Sequence, residues 1–365
     1  MLKYITAGES HGKAIIGILQ GLPANLKVDI NKINAELVLR QQGYGRGTRQ
    51  QIECDRAEIL AGIRGGVTTG APIGFLVENK DFENWKDIIG VDATKLKERK
   101  VTAVRPGHAD LAGCIKYNQQ DARNILERAS ARSTVADVVV GSICLQFLSE
   151  SGIKVEAEVV SVGGVAVGDA HLGVPNNIKK AIDLARAKGD TLGGVVKLRI
   201  KYLGYGFGSH IAPETRLEYH IMSSLGAIQS VKAVAIGDIL QNLSATGSEF
   251  HDELFIDNNG QIIRKTSRAG GIEGGISNGE DIVVSVFCKP IPSVPMGLKS
   301  VDIATKKPST SASERGDTSA IESVAVVAKS VLAFTISKVI LSTLGGDHMD
   351  EIKERMKVKK EASFL

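Results

Sequence analysis

An α+β fold, a single compact domain of sheets packed on helices, is what this sequence predicts, and three observations carry the prediction. Strand-period and helix-period segments are mixed, without the strict strand–helix rhythm of a doubly wound parallel sheet. No stretch reads as a flexible linker, and no fixed-period repeat divides the 365 residues. Hydrophobic content of 43% and charged content of 24% lie in the globular range, at a length that allows a sizeable core. One catalytic unit is expected over residues 1–346, followed by a charged tail, 347–365, that frays or packs weakly.

Each element follows from its pattern. Apolar positions including Ile33 and Leu37 predict a helix over 31–40. Residues 121–147, rich in Ala, Ile, Leu and Val, predict one or two long helices. Val155, Ala157 and Val159 alternate with Glu156 and Glu158, the pattern of a strand with one wet face. Pro175 opens and Gly189 closes a helix over 175–188. Val196, Leu198 and Ile200 alternate with Lys197, Arg199 and Lys201, giving a second half-buried strand. Asn258-Asn259-Gly260 breaks the run 255–265 into a hairpin. Residues 282–288 form an apolar strand ended by Lys289-Pro290, and 318–344 a long helix ended by Gly345-Gly346. Lys329 and Lys338 interrupt that helix, so it reads as a core helix and not as a membrane span.

Composition narrows the function. Aromatics make up 4% of the chain and the net charge is +4, a poor basis for a nucleic-acid stacking platform. The widely spaced Cys54, Cys114, Cys144 and Cys288 suggest neither a disulfide framework nor a zinc site, and free thiols are expected. The opening residues lack the apolar core of a signal peptide, so a cytoplasmic protein is expected. The 40 glycines stand out, and many fall beside arginines and histidines.

The chemistry-bearing stretches come in order. Gly8-Glu9-Ser10-His11-Gly12 presents a histidine among small residues, either a proton carrier or merely an exposed turn. Residues 40–50 hold Arg40, Arg46 and Arg49 among three glycines, a loop suited to an anion, or else a solvated basic loop. In Arg105-Pro106-Gly107-His108-Ala109-Asp110 a fixed turn sets His108 between a cation and a carboxylate. No second histidine lies at metal-ligand spacing, so no metal is expected. Within Arg128-Ala129-Ser130-Ala131-Arg132-Ser133-Thr134 the two arginines, four apart, are expected on one helix face, opposite an anion or in water. Five glycines in residues 270–279 suggest backbone wrapped around a polar ligand, with a spacing that is neither a dinucleotide fingerprint nor a P-loop. Arg315-Gly316-Asp317 precedes the last long helix, where Asp317 suits an N-cap. Together these stretches outline an arginine-lined, glycine-rich site for a phosphorylated substrate.

In this order, the motifs above, with Gly-Gly-Ile-x-Gly-Gly-Ile-Ser-x-Gly and Lys-Pro-x-x-Ser, resemble the chorismate synthase family over nearly the whole chain. That resemblance implies a β-α-β sandwich, a homotetramer, and anti-1,4-elimination of phosphate from 5-enolpyruvylshikimate 3-phosphate, the last step of the shikimate pathway. Reduced FMN is implied without net redox change, and NADPH as an indirect reductant, with or without a separate flavin reductase. His11 would protonate the departing phosphate, with Ser10 beside it. His108 would stabilise the reduced flavin, and Asp317 would assist removal of the ring proton. Arg40, Arg46, Arg49, Arg105, Arg132 and Arg315 would hold the substrate's anionic groups. Arg128, Ala129, Ser130, Gln229, Ser230, Gly274, Lys289, Pro290, Ile291, Pro292, Ser293 and Arg315 match flavin positions. Arg40 and Arg46 also match positions assigned to NADP, and the same arginines suit substrate phosphate. Ala129, Ser133 and Ser230 depart from the family's commoner residues. The rival readings are an FMN-dependent oxidoreductase acting on a phosphorylated metabolite and an RNA-binding Gly/Arg loop protein.

Overall fold

Period-two segments within 3–78 and within 154–288 build two separate antiparallel sheets, and the helices fill the space between them. The computed structural model describes residues 1–47, 54–168, 174–311 and 316–361. Lys3–Ala7, Ala14–Gln20, Ile73–Glu78 and Glu58–Ile59 hydrogen-bond in that order into the N-terminal sheet. Its inner face buries Ile15, Leu19, Ile73, Phe75 and Val77. Gly17 lies under the Phe75 ring, where a Cβ would sit 2.3 Å from the ring carbons, so only glycine fits. The second sheet runs Val231–Ile236, Ile282–Cys288, Gly194–Lys201, Lys154–Val162 and Val165–Ala166, again antiparallel. The alternation expected at 196–201 is present: Val196, Leu198 and Ile200 are buried, while Lys197, Arg199 and Lys201 lie on the wetter face. The hairpin at 258–260 joins Leu254–Ile256 to Ile262–Arg264.

Between the sheets lie Ile30–Gln41, Thr134–Glu150, Leu217–Gly226 and Ile321–Leu344. The two longest helices pack on each other, and Gly141 sets how closely: a Cβ there would come 2.2 Å from Ser330 Cβ. Ile321–Leu344 also contacts Lys154–Val162 and Gly194–Lys201, and Thr134–Glu150 contacts Ala14–Gln20. The apolar length of the last long helix is therefore spent on core contacts. Each buried Val, Ile or Leu in this layer contributes roughly 1.5–3 kcal/mol. The architecture is the β-α-β sandwich of mixed helix and sheet that the resemblance implied.

Three local expectations are corrected. Met349–Glu361 is a helix, not a loosely packed tail, because Met349, Ile352 and Met356 recur at helical spacing and are buried. Of the one or two helices expected over 121–147 two are present, and what fails is the single face for Arg128 and Arg132: the chain breaks at Ser130, whose extended backbone (φ −61, ψ 142) and side chain cap the next turn at the Arg132 amide. Arg128 and Arg132 therefore leave on different sides. Asp317 does not cap the last long helix, which starts at Ile321; its carboxylate turns back to the 44–47 loop.

Candidate active site

His11 sits in the turn between the first two strands. Gly8 (φ +115) allows that turn, since a Cβ there would meet the Ala14 carbonyl oxygen at 2.3 Å. Asn79 ties the turn down by donating to the carbonyls of Glu9 (3.1 Å) and Gly12 (2.6 Å). His11 Nδ1 lies 2.9 and 3.0 Å from the two carboxylate oxygens of Glu127, and its backbone amide donates to the same group at 2.9 Å. The ring stacks on Trp85 with centroids 3.9 Å apart. Arg99 lies over the same indole, and Arg123 donates to Glu127 at 3.1 Å. Burial alone would raise the Glu127 carboxyl, but the bonds from His11 and the charge of Arg123 hold it below its ordinary value.

Beside this turn the arginines are organised by one buried carboxylate. Asp55 accepts from Arg40 (2.9 Å) and from Arg132 (2.6 Å). Arg132 also donates to the Asn79 side chain (2.7 Å) and to the Glu78 carbonyl (3.2 Å). Arg40 reaches Thr134 Oγ1 at 3.4 Å. Both guanidinium groups are thus held in place by protein partners. Arg128 points the other way, to the carbonyls of Thr6 and Gly8 and the Thr6 hydroxyl.

His108 belongs to a second cluster. Its Nδ1 meets Asp110 Oδ1 and lies 3.2 Å from an Arg105 NH2 nitrogen. Arg105 also donates to Asp110 through Nε (2.9 Å) and to Ser293 Oγ (2.9 Å). Burial works to raise the Asp110 carboxyl, yet the bonds from His108 and Arg105 win and hold it well below the usual carboxylate range. Lys289 donates to the Gly107 carbonyl, and burial, with Lys232 nearby, pushes its ammonium pKa down.

Hydrogen bonds thread the two clusters together. Ser130 Oγ donates to Ser10 Oγ (3.1 Å), Gln229 donates to Ser133 Oγ (3.1 Å), and the Lys289 amide donates to the Ser230 carbonyl (2.9 Å). Ala129 ends the helix just before Ser130. Thr191 Oγ1 donates to the Ile291 carbonyl (2.8 Å) and the Leu192 amide to the Thr318 carbonyl (2.8 Å), which links the Lys289-Pro290-Ile291-Pro292-Ser293 loop to Asp317. Asp317 pairs with Arg46 at 2.8 Å and accepts from the Gly47 amide at 2.6 Å. Gly274 (φ +60) lies in the turn between Ile272–Glu273 and Ile276–Asn278, where a Cβ would meet open space. Arg49 and Arg315 lie outside the described residues. Among the described residues no group of three His, Cys, Asp or Glu side chains is placed to hold a metal ion.

Glu127, Asp55, Asn79 and Trp85 were not found from the sequence. Only Glu127 carried a local signal, its four-residue spacing from Arg123 immediately before the Arg128 motif.

The fold agrees with what the chain resembles among known proteins. The chorismate synthase family model matches residues 2–341. A chorismate synthase of Thermoanaerobacter pseudethanolicus is 46% identical over 97% of both chains. That of Caldicellulosiruptor bescii is 43% identical over 98% of both chains. A crystal structure of chorismate synthase superposes with a TM-score of 0.78 at 35% identity, covering 99% of this chain and 98% of the other.

Proposed function

The chain belongs to the chorismate synthase family and is a lyase, and from that membership we propose the elimination of phosphate from 5-enolpyruvylshikimate 3-phosphate to give chorismate, with reduced FMN as cofactor and no net redox change. The observation that carries the reading is the pairing of two histidines, each with Nδ1 against a carboxylate, at the two ends of one hydrogen-bonded chain of loops.

The donor set suits the flavin. Arg128 and Lys289 offer positive charge, and Ser130, Gln229 and Ser293 offer hydrogen-bonding groups, with the small Ala129 and Ser230 beside them. When bound, reduced FMN supplies an electron-rich ring that favours loss of an anionic leaving group. His11 delivers a proton from Nε2 to the departing phosphate, with the Ser10 hydroxyl beside it. His108 faces the cofactor side with Lys289 and Ser293. Asp317, held by Arg46 and the Gly47 amide, assists removal of the ring proton. Arg46, Arg49 and Arg315 neutralise the substrate's anionic groups. Arg105, Arg40 and Arg132 set the local positive field from fixed positions, since carboxylates already brace them. Arg40 is committed to Asp55 and Arg46 to Asp317, and NADPH enters only as an indirect reductant, with or without a separate flavin reductase.

The protein is cytoplasmic and a homotetramer in this reading. Ile5, Ile16 and Ile18 are exposed on the outer face of the N-terminal sheet, and that apolar face supports association of copies. An anaerobic assay with chemically reduced FMN and the enolpyruvyl substrate tests the reaction. Chorismate and phosphate should form in equal amounts over many turnovers per flavin. One flavin oxidised per product would mean an oxidoreductase instead.

A further inference from the structure

We propose that Glu127 is the positioning residue that fixes which nitrogen of His11 carries the proton, holding Nδ1 as N–H so that Nε2 alone faces the reaction. This deepens, and rests on, the reading of His11 as proton donor to the departing phosphate. Both Glu127 oxygens lie within 3.0 Å of Nδ1, so a lone pair on Nδ1 would face a carboxylate and a proton on it is strongly favoured. The carboxylate cannot easily swing away. It also accepts from the His11 amide and from Arg123, and it is 4% exposed. The ring cannot easily turn over either, because it is stacked on Trp85 and is itself 7% exposed. A carboxylate that accepts from Nδ1–H orients the imidazole and stabilises its charged form, the same task that a buried aspartate performs for the histidine of a serine-protease triad.

Two-bond proton–nitrogen NMR on the full chain, labelled with ¹⁵N-histidine, reads the tautomer directly. Spectra are taken in alkaline buffer, where imidazoles are neutral. The chain has 7 histidines, and the His11 signals are assigned by their loss in His11→Ala. The wild-type ring should show a pyrrole-like Nδ1 and a pyridine-like Nε2; the opposite pattern overturns the proposal without any variant. In Glu127→Gln, whose amide can accept or donate, the two tautomers should mix. Turnover should fall on the order of 10–100-fold with little change in KM, and Glu127→Asp should recover part of it. Trp85 is the single tryptophan, so its emission reports the stack separately. Altered turnover with unaltered tautomer and emission in folded Glu127→Gln would reduce Glu127 to a structural ion pair. Full turnover in His11→Ala would instead remove the proton-donor reading, while the NMR pattern still decides whether Glu127 sets the tautomer.

Discussion

The His11 and His108 clusters are built on the same plan and differ in what else meets the ring. In both, Nδ1 faces a buried carboxylate that an arginine braces: Arg123 for Glu127, Arg105 for Asp110. At His11 the carboxylate is the described hydrogen-bond partner of Nδ1, which favours one tautomer. At His108 the bracing arginine itself comes within 3.2 Å of Nδ1. A proton on that nitrogen suits Asp110, and a lone pair suits Arg105. The first histidine has a single nitrogen, Nε2, left for proton exchange; the second has both a carboxylate and a cation against one nitrogen. In the proposed reading, His11 gives a proton and gains from a fixed orientation, while His108 lies on the cofactor side with two partners for one nitrogen.

The largest expected effect separates the two most sharply. His11→Ala should lower turnover about 10²–10⁴-fold while reduced-flavin binding, followed by its absorption spectrum, is retained. Loss of flavin binding in this variant would break the division between the clusters. Asp110→Asn comes next, since removing one member of a buried ion pair costs about 3–5 kcal/mol in a denaturant melt. Its pH signature has a definite sign. The folded-state carboxyl is depressed, so its stabilisation is complete above the unfolded value and is lost as pH falls below it. The variant should therefore show a flatter acid limb below about pH 4, close to the ordinary carboxylate pKa. Trp85→Phe keeps a ring against His11 but weakens the cation contacts of Arg99 and Arg123, for about 0.5–2 kcal/mol in the same melt. The smallest change is Ser293→Ala, which removes one acceptor from Arg105 and should cost about 1 kcal/mol. It should also tilt His108 toward Asp110 or Arg105, visible as a changed tautomer ratio by NMR.

The His108 cluster was legible in the sequence and the His11 cluster only in half. Arg105, His108 and Asp110 lie within six residues, so a turn signal was enough to bring them together. Glu127 meets His11 across 116 positions, and Asp55 meets Arg132 across 77, separations that carry no local pattern. The strands at 154–162 and 194–201 were readable because burial on one face writes itself as alternation. The break at Ser130 was not, because the flanking residues favour helix and a single serine cap outweighed them. The buried helix at 349–361 was obscured by its charged outer face, which hid Met349, Ile352 and Met356.

The Tyr4 ring of the first strand meets the Phe334 ring of the last long helix edge-on at 4.7 Å, and that helix lies between the two sheets. That position has a consequence for synthesis on the ribosome. The first sheet is met by Thr134–Glu150, but the second, begun at Lys154, has to wait more than a hundred and fifty residues for Ile321–Leu344 to pack on Lys154–Val162 and Gly194–Lys201. A message cut short by a premature stop ahead of that helix leaves the inner face of the second sheet open, and the product is fit for a chaperone or a protease instead of for catalysis.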